Sequence, residues 1–521
     1  MSIQTSEVGV QSAQFPPVLE GARSNLLRIA AMSAVTVGSG LVSAKIVAVH
    51  TGVSGVGRQS LIAGIGSIVT LVCDMNVGQA MIRSIALDSA EAQPGVISIR
   101  IRATRQITII GSIIAIGATA WFAISLRSIL GAAIASGAVW GAAGGAMAMM
   151  ATQETNVLTA FHRVRRRTWA TGLHALLTPL VTLACLQRYP VGGLGGAYLA
   201  TSVVGFVIFA AASRSSVRNV SSGAKPDRAS VRRERATLLT FGRSMTLAVL
   251  AGNGVVLLLP FIAERLLGIE AAGLFRVATV ASLGYTAMFN VALSSDFFPR
   301  ACALTSSPER FRQVVDDQLQ LMLMTFAPVA ALGTTFSRQF VTIAYSSAFG
   351  GASGLVDRQI VADVLRLACW TVCFAVLAAG GSRALLQVEA IAGATLLTST
   401  ILLAKLSGMQ GLGTAQLVGY TVTAFVVVRK LRALTGWSPS ARVGRSLAAC
   451  LASAGLPLLF RHLAPGTAGM VAGTVVASVA LILAIRTLAP TKFAAVASIR
   501  RIRASESDPE GHGPDGQRRH G

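Results

Sequence analysis

The chain has 521 residues, of which 53% are hydrophobic and 13% are charged, and it carries a formal net charge of +24. Soluble domains have about 25% charged residues, so this composition excludes a soluble protein and predicts an integral membrane protein. The excess of cations does not indicate nucleic-acid binding, because the cations lie between apolar runs rather than on one domain.

Fourteen apolar runs are long enough to cross a bilayer as helices, since about 20 apolar residues suffice. The sequence therefore predicts an all-α polytopic membrane protein, with twelve or thirteen spans as the alternative count. The predicted spans are 26–49, 59–87, 106–126, 129–152, 169–187, 193–213, 237–263, 271–298, 314–336, 360–380, 384–404, 412–428, 443–460 and 466–485.

The first span has two features that are unusual for a membrane helix. Lys45 places a cation in it, and a lysine near the centre of such a helix costs roughly 2.5–3.5 kcal/mol on insertion scales. Gly38 and Gly40 precede this lysine and predict the close approach of another helix. The glycines of Gly52–Gly57 then predict a turn into the second span.

The loop charges predict that both chain termini lie on the cytoplasmic side. Lysine and arginine concentrate in alternate loops, including the longest polar connection at 214–236, and such loops normally face the cytoplasm. Residues 1–25 are polar and are predicted to form a cytoplasmic tail rather than a cleaved signal sequence. The tail 489–521 is basic, and we expect it to be disordered and to contact anionic membrane lipids.

Two glycine motifs recur at nearly the same offset and indicate an internal duplication. GVSGVG at Gly52–Gly57 returns as GIEAAG at Gly268–Gly273, and GLGGA at Gly193–Ala197 returns as GLGTA at Gly411–Ala415. Six spans per repeat insert both copies the same way up, which predicts parallel repeats with a substrate site between them.

The duplication divides the chain into two predicted six-helix lobes. The N-lobe is 26–213, the basic cytoplasmic linker is 214–236 and the C-lobe is 237–433. Two further membrane helices are predicted within 434–488.

Several catalytic motifs are absent from the sequence. No glycine precedes a lysine, so a GK[ST] phosphate loop cannot exist, and the histidines and cysteines form no HExxH or CxxC motif. The loops predicted to face outward are too short for a catalytic domain and have no clustered acids. We therefore predict a transporter with no cofactor, for which proton or sodium coupling remains open.

Ionisable residues at membrane depth are the candidate functional residues, because such charges usually face a bundle interior or a wet cavity. Asp363 and Arg366 are three residues apart and so share one helical face. Snorkelling is the alternative for the four cations, and a structural ion pair is the alternative for Asp74 and Glu389. The candidates are Lys45, Asp74, Arg83, Arg276, Asp363, Arg366 and Glu389.

Five segments, in this order and spacing, resemble one known family over residues 26–433. They are Gly40–Gly57, Asn156–Leu173, Glu264–Pro299, Arg358–Trp370 and Gln387–Leu397. Together they resemble the O-antigen translocase (Wzx-type) family, the lipid-linked oligosaccharide flippases of the MATE-like exporter superfamily. The chain departs from the family pattern at Asp74, where a small residue is expected, and at Arg276, where a neutral polar residue is common.

The resemblance implies a substrate and roles for the candidate residues. An undecaprenyl-pyrophosphate-linked oligosaccharide would cross from the inner to the outer leaflet of the bacterial inner membrane, beside a polysaccharide polymerase and a chain-length regulator. The cations at positions 45, 276, 83 and 366 would contact the pyrophosphate. Asp74 and Glu389 would couple ions or form intramembrane ion pairs, and Asp363 would pair with Arg366.

Three alternative functions remain open at this point. A MATE-type drug/cation antiporter would share the fold, and a peptidoglycan-precursor lipid flippase would share the mechanism. An integral-membrane glycosyltransferase or polymerase is a more distant alternative, because the sequence has no catalytic outer domain.

Overall fold

The computed structural model describes residues 19–88, 94–125, 132–161, 163–189, 192–220 and 227–506. The regular structure in these ranges is helical, which confirms the predicted all-α class. A π-helical turn (Leu293–Phe297) and a 3₁₀ helix (Ser347–Ala352) join the α-helices. The α-helices are α1 (Leu19–Asp74), α2 (Val77–Asp88), α3 (Pro94–Ser125), α4 (Ala132–Ala160), α5 (Val164–Arg188), α6 (Gly193–Val220), α7 (Arg228–Leu267), α8 (Ile269–Ala292), α9 (Phe298–Ala303), α10 (Pro308–Thr335), α11 (Ser337–Ala344), α12 (Ser353–Ala378), α13 (Ser382–Ser407), α14 (Met409–Thr435), α15 (Ala441–Leu463) and α16 (Thr467–Glu506).

The protein is a multi-pass membrane protein. Ten helices among the described residues are long and apolar enough to cross a bilayer, or eleven if α10 and α11, which meet at a bend of 72°, form one span. This number is lower than the fourteen predicted spans. One reason is that the first predicted span and much of the second form one continuous segment in this count, Ala34–Asp74. Large apolar side chains on these helices are exposed, as a lipid-facing surface requires; Trp121, for example, is 72% exposed.

A glycine interrupts α1 at the predicted turn. Gly52 has φ 65° and ψ −166°, so two helical segments meet there at a kink. Its predicted counterpart, Gly268, has φ 91° and ψ 171° and separates α7 from α8. This region of backbone space is open almost only to glycine. The two glycines of the repeated motif thus have the same unusual conformation.

The second repeated motif also has equivalent geometry in its two copies. Each copy starts a helix, and its first glycine lies against the last turn of the preceding helix. A Cβ atom at Gly193 would be 2.6 Å from the carbonyl oxygen of Cys185, and one at Gly411 would be 1.9 Å from that of Leu403. Only glycine allows this approach without a shift of the backbone. These shared contacts support the predicted internal duplication.

The predicted close approach at Gly38 and Gly40 is wrong. A Cβ atom at either position would meet nothing within 4 Å. The contact between α1 and α5 uses neighbouring residues instead: the Ser39 hydroxyl donates a hydrogen bond to the carbonyl oxygen of Ala175, and Gly172 lies against the sulfur of Met32. The small residues that allow the contact lie mainly on α5, so the glycine pattern of α1 alone could not locate it.

The second predicted span is broken in its middle. Helix α1 ends at Asp74 and α2 begins at Val77, and between them Met75 and Asn76 have φ values of 43° and 50°. Left-handed backbone is uncommon for residues other than glycine, although asparagine tolerates it better than most. The Asn76 side chain donates a weak hydrogen bond to Thr246 Oγ1 at 3.4 Å. The polar groups freed where a helix is interrupted at membrane depth need partners from neighbouring protein segments, and here α7 supplies one.

The described chain forms two compact units, Met1–Leu247 and Ala248–Gly521, and the boundary lies inside α7. The second half of the predicted linker is helical, since α7 begins at Arg228. Val231 and Leu238 lie two turns apart and pack with Val77, Ala103 and Ile107 of the first unit. This apolar stripe explains why the basic segment folds onto the first unit.

The two helices that follow the predicted C-lobe pack against α10 within the second unit. The indole nitrogen of Trp437 donates a hydrogen bond to Asp316 Oδ1 at 2.9 Å, and the Trp437 side chain is fully buried. Arg461 donates to the carbonyl oxygen of Thr334 at 2.8 Å and forms an ion pair with the buried Asp357. The last helix continues to Glu506, so the first part of the tail predicted as disordered is helical.

We expect Gly52→Ala to destabilise the protein, because its backbone conformation costs a residue with a Cβ atom about 1–3 kcal/mol. Gly40→Ala is the matched control on the same helix, where the Cβ also meets nothing, and it should be neutral or stabilise by up to about 1 kcal/mol. Thermal unfolding of the purified variants in detergent measures both effects. Equal melting temperatures for the two variants would contradict the assigned turn.

Candidate functional site

A network of polar side chains is buried in the second unit, at the contact of α12 with α8 and α14. We call Ser282, Tyr285, Gln359, Asp363, Arg366, Gln416 and Tyr420 the Asp363 cluster. Asp363 has no exposed surface. Its Oδ2 accepts hydrogen bonds from the hydroxyls of Ser282 and Tyr285, both at 2.6 Å, and its Oδ1 accepts one from Gln359 Nε2 at 3.2 Å. The carboxylate is thus held by three uncharged donors.

Arg366 supplies the positive charge of the cluster. Its Nη1 is 3.3 Å from Asp363 Oδ1 and donates to the Ser282 hydroxyl at 3.1 Å. The guanidinium carbon is 4.7 Å from the centre of the Trp370 ring and 5.6 Å from that of Tyr420, within the range of cation–π attraction. Arg366 is only 7% exposed, so it does not snorkel to the headgroups.

The cluster leaves little room for a ligand in this conformation. The cavity beside Ser282, Gln359 and Arg366 has a volume of about 10 Å³. A single water needs about 10–15 Å³, so a pyrophosphate or sugar does not fit there. Arg366 therefore contacts protein side chains here, and the cluster acts as a structural and electrostatic unit.

Glu389 lies next to this cluster, on α13. Its carboxyl group is close enough for electrostatic interaction with the Cys369 and Cys373 thiols and with the Tyr420 phenol, which lies near Asp363 and Arg366 as well. Within the part of the chain that the structure describes, Glu389 forms no hydrogen bond or ion pair, and its side chain is half-buried. The structure thus brings together three of the predicted candidates, at positions 363, 366 and 389.

The other candidates lie elsewhere. Lys45 is half-buried on α1, on the N-terminal side of the Gly52 kink. Arg276 is half-buried on α8 and interacts electrostatically with Tyr345. The two residues belong to different units.

The remaining two candidates flank the break between α1 and α2. Asp74 is the last residue of α1, and its Oδ1 accepts a hydrogen bond from Gln153 Nε2 of α4 at 2.8 Å. Arg83 lies on α2, but its side chain is outside the described residues. Asp74 is thus attached to a neighbouring helix where its own helix stops.

The uncharged members of the cluster were not predicted from the sequence. Ser282 and Tyr285 are three residues apart on α8, and Gln359 lies four residues before Asp363 on α12. Each pair therefore lies on one helical face. Polar residues at this spacing in an apolar helix are the signal that points to them, although it does not reveal that the two faces meet.

The helix arrangement is similar to those of several solved membrane-protein structures. The inward-closed lipid II flippase MurJ matches with a TM-score of 0.66 and 11% identity, over 89% of this chain and 99% of its own. An inward-facing multidrug resistance MATE family transporter matches with a TM-score of 0.60 and 15% identity, over 81% of this chain and 98% of its own. A MOP superfamily transporter from Pyrococcus furiosus matches with a TM-score of 0.50 and 14% identity, over 81% of this chain and 96% of its own. At such identities the likeness shows the fold. The chain matches no protein-family model and no curated protein sequence.

We expect Asp363→Ala to destabilise the second unit by about 3–5 kcal/mol, because it leaves the buried Arg366 without its counter-charge. Asp363→Ala combined with Arg366→Met should recover most of this loss, since an apolar pair leaves no unpaired charge. Unfolding in detergent provides the measurement.

The control for this series is Asp296→Ala. It removes an exposed pair with Arg300, in which the side chains are 68% and 50% exposed, and such pairs contribute about 0–1 kcal/mol. A loss of stability for Asp363→Ala no larger than that of the control would show that the buried pair does not hold the cluster together.

Proposed function

We propose that the protein is a flippase for undecaprenyl-pyrophosphate-linked oligosaccharide repeat units. It would move them from the inner to the outer leaflet of the bacterial inner membrane, for the synthesis of exopolysaccharide, capsule or O-antigen. The observation that carries the proposal is the likeness to the fold of a lipid II flippase, which extends over 89% of this chain, compared with 81% for the multidrug transporter.

The intramembrane cations support a substrate with a diphosphate group. Such a group cannot enter hydrocarbon without partners for its charge. Lys45 on α1 and Arg276 on α8 are half-buried in membrane helices rather than fully enclosed. In this proposal they contact the pyrophosphate, with Arg83 as a further contact, and the polyprenyl tail stays in the lipid, while Arg366 keeps its pair with Asp363.

Ion coupling is the second part of the proposal. Of the three candidate acids, Asp363 and Asp74 already accept hydrogen bonds from neighbouring helices. Glu389 is half-buried and forms no such bond with the described residues, so it is the acid that can bind and release a proton or sodium ion at the lowest cost. A polysaccharide polymerase and a chain-length regulator would act on the exported product.

A drug/cation antiporter is the second candidate function. The similarity to a MATE family fold and the acids of the second unit favour it, because a carboxylate can balance an organic cation. A peptidoglycan-precursor flippase is a third, and it differs from the first in the glycan alone.

Proteoliposomes separate these functions. The purified protein is reconstituted with fluorescent undecaprenyl-pyrophosphate-linked oligosaccharide, and a membrane-impermeant quencher reports its transbilayer movement. Labelled lipid II and a fluorescent organic cation are tested in parallel. Flipping of the oligosaccharide lipid alone supports the proposal, while transport of the cation with no flipping of either lipid overturns it in favour of an antiporter.

A gene deletion tests the same proposal in the cell. Lipid-linked repeat units should accumulate on the inner leaflet and the polysaccharide should be lost. Unchanged polysaccharide in a strain with no second flippase would overturn the proposal, and loss of viability with intact polysaccharide would point to the peptidoglycan precursor. A change in glycan chain length alone would indicate a polymerase.

We expect Lys45→Ala to reduce flipping about ten- to hundredfold, because a hydrogen bond to a charged group contributes about 1.5–3 kcal/mol. Lys45→Arg keeps the charge and should retain much of the activity. Arg58→Gln, at an exposed cation of the same helix, is the control and should be near normal. Normal flipping by Lys45→Ala at normal membrane levels would assign Lys45 to the headgroup layer instead.

A further inference from the structure

One cavity of the first unit is lined by none of the predicted site residues. Its volume is about 650 Å³, within the range of small-molecule sites, and it lies between α3, α4 and α6. Its lining combines cations with apolar side chains. The cations are Arg105, Arg214 and Arg218.

The charge of this cavity is positive. Glu154 lines it too, but this carboxylate is 4% exposed, accepts a hydrogen bond from Ser213 and forms an ion pair with Arg105 at 2.7 Å. Glu154 is thus already matched by Arg105. Arg214 and Arg218 are exposed, lie on one face of α6 at (i, i+4) spacing, and form no ion pair or hydrogen bond with other described residues. Two positive charges therefore remain at the cavity.

Apart from Thr108 and Gln153, the rest of the lining is apolar, and it continues onto the surface of α3. Ile109, Met150, Phe206 and Val217 line the cavity. Ile109 is 45% exposed, and Ile113, one turn further along α3, is 65% exposed. An apolar strip thus leads from the two arginines along a membrane helix, where lipid tails would lie.

We propose that this cavity binds an anionic phospholipid of the inner leaflet, with its phosphate between Arg214 and Arg218 and its acyl chains along Ile109 and Ile113. The two neighbouring arginines match the phosphate of such a lipid, and the apolar strip matches its acyl chains. Arginine binds phosphate oxygens through several donors. The loop charges place this end of the helices on the cytoplasmic side, where anionic lipid is available.

The site has a physical connection to the broken helix. Gln153 lines the cavity and donates its hydrogen bond to Asp74, the last residue before the break. A lipid in the cavity therefore packs against the residue that attaches the end of α1 to α4. Lipid binding should stabilise the first unit, whichever substrate the protein transports.

The test compares lipids on the purified full-length protein after delipidation. Phosphatidylglycerol should raise the melting temperature and remain bound in native mass spectrometry, and phosphatidylcholine should do so much less because its net charge is zero. Inorganic pyrophosphate provides the phosphate without the tail. Equal stabilisation by pyrophosphate would overturn the lipid assignment and indicate a site for a soluble phosphate.

The variant Arg214→Gln/Arg218→Gln should bind phosphatidylglycerol at least about tenfold more weakly. Arg232→Gln/Arg233→Gln removes the same charge from two exposed positions of α7 and should bind normally. Equal binding by the two double variants would overturn the proposal.

A second variant covers the case in which the first fails to fold. Ala210→Phe fills the cavity without a change in charge, and it should lose the lipid as well. Normal phosphatidylglycerol binding by Ala210→Phe would also overturn the proposal. These readouts do not involve transport, so they stand apart from the flipping assay.

Discussion

Bilayer hydrocarbon offers no hydrogen-bond partners, so the protein itself must satisfy each charge and each interruption of a helix within it. The Asp363 cluster meets this requirement for one carboxylate with three uncharged donors and one guanidinium. Arg366 in turn is matched by that carboxylate and by two aromatic rings. Because α8, α12 and α14 each supply a partner, this one buried pair links α12 to both neighbouring helices.

The same constraint governs where the helices are interrupted. At Gly52 and Gly268 the chain takes a conformation that glycine adopts at little cost, so it turns without loss of packing. At Met75 and Asn76 it adopts left-handed backbone without glycine, and side chains from α4 and α7 support the break. The first kind of interruption depends on local sequence, whereas the second depends on neighbours that are distant in the chain.

This distinction explains how much the sequence could predict. The all-α class follows from the length of the apolar runs, and the turn at Gly52 follows from its glycines. The spacing of Asp363 and Arg366 places them on one helical face, where they do pair. The break at Met75 and the helical start of α7 were missed, because both depend on contacts between segments that no periodicity reveals. The uncharged part of the cluster was missed for the same reason, since Ser282 bonds Asp363 only because α8 and α12 pack together.

Two candidate acids of the second unit, Asp363 and Glu389, differ in how many bonds hold them. A group that couples ions must exchange its partner as the protein changes conformation, and the cost of that exchange rises with the number of bonds it must break. Asp363 would have to give up its three donors and the guanidinium, which leaves a buried charge unpaired. Glu389 has no such bonds among the described residues, although it lies near Tyr420, whose ring adjoins Arg366. Among the described residues, the Asp363–Arg366 pair thus links neighbouring helices, whereas Glu389 has no such structural bond to give up.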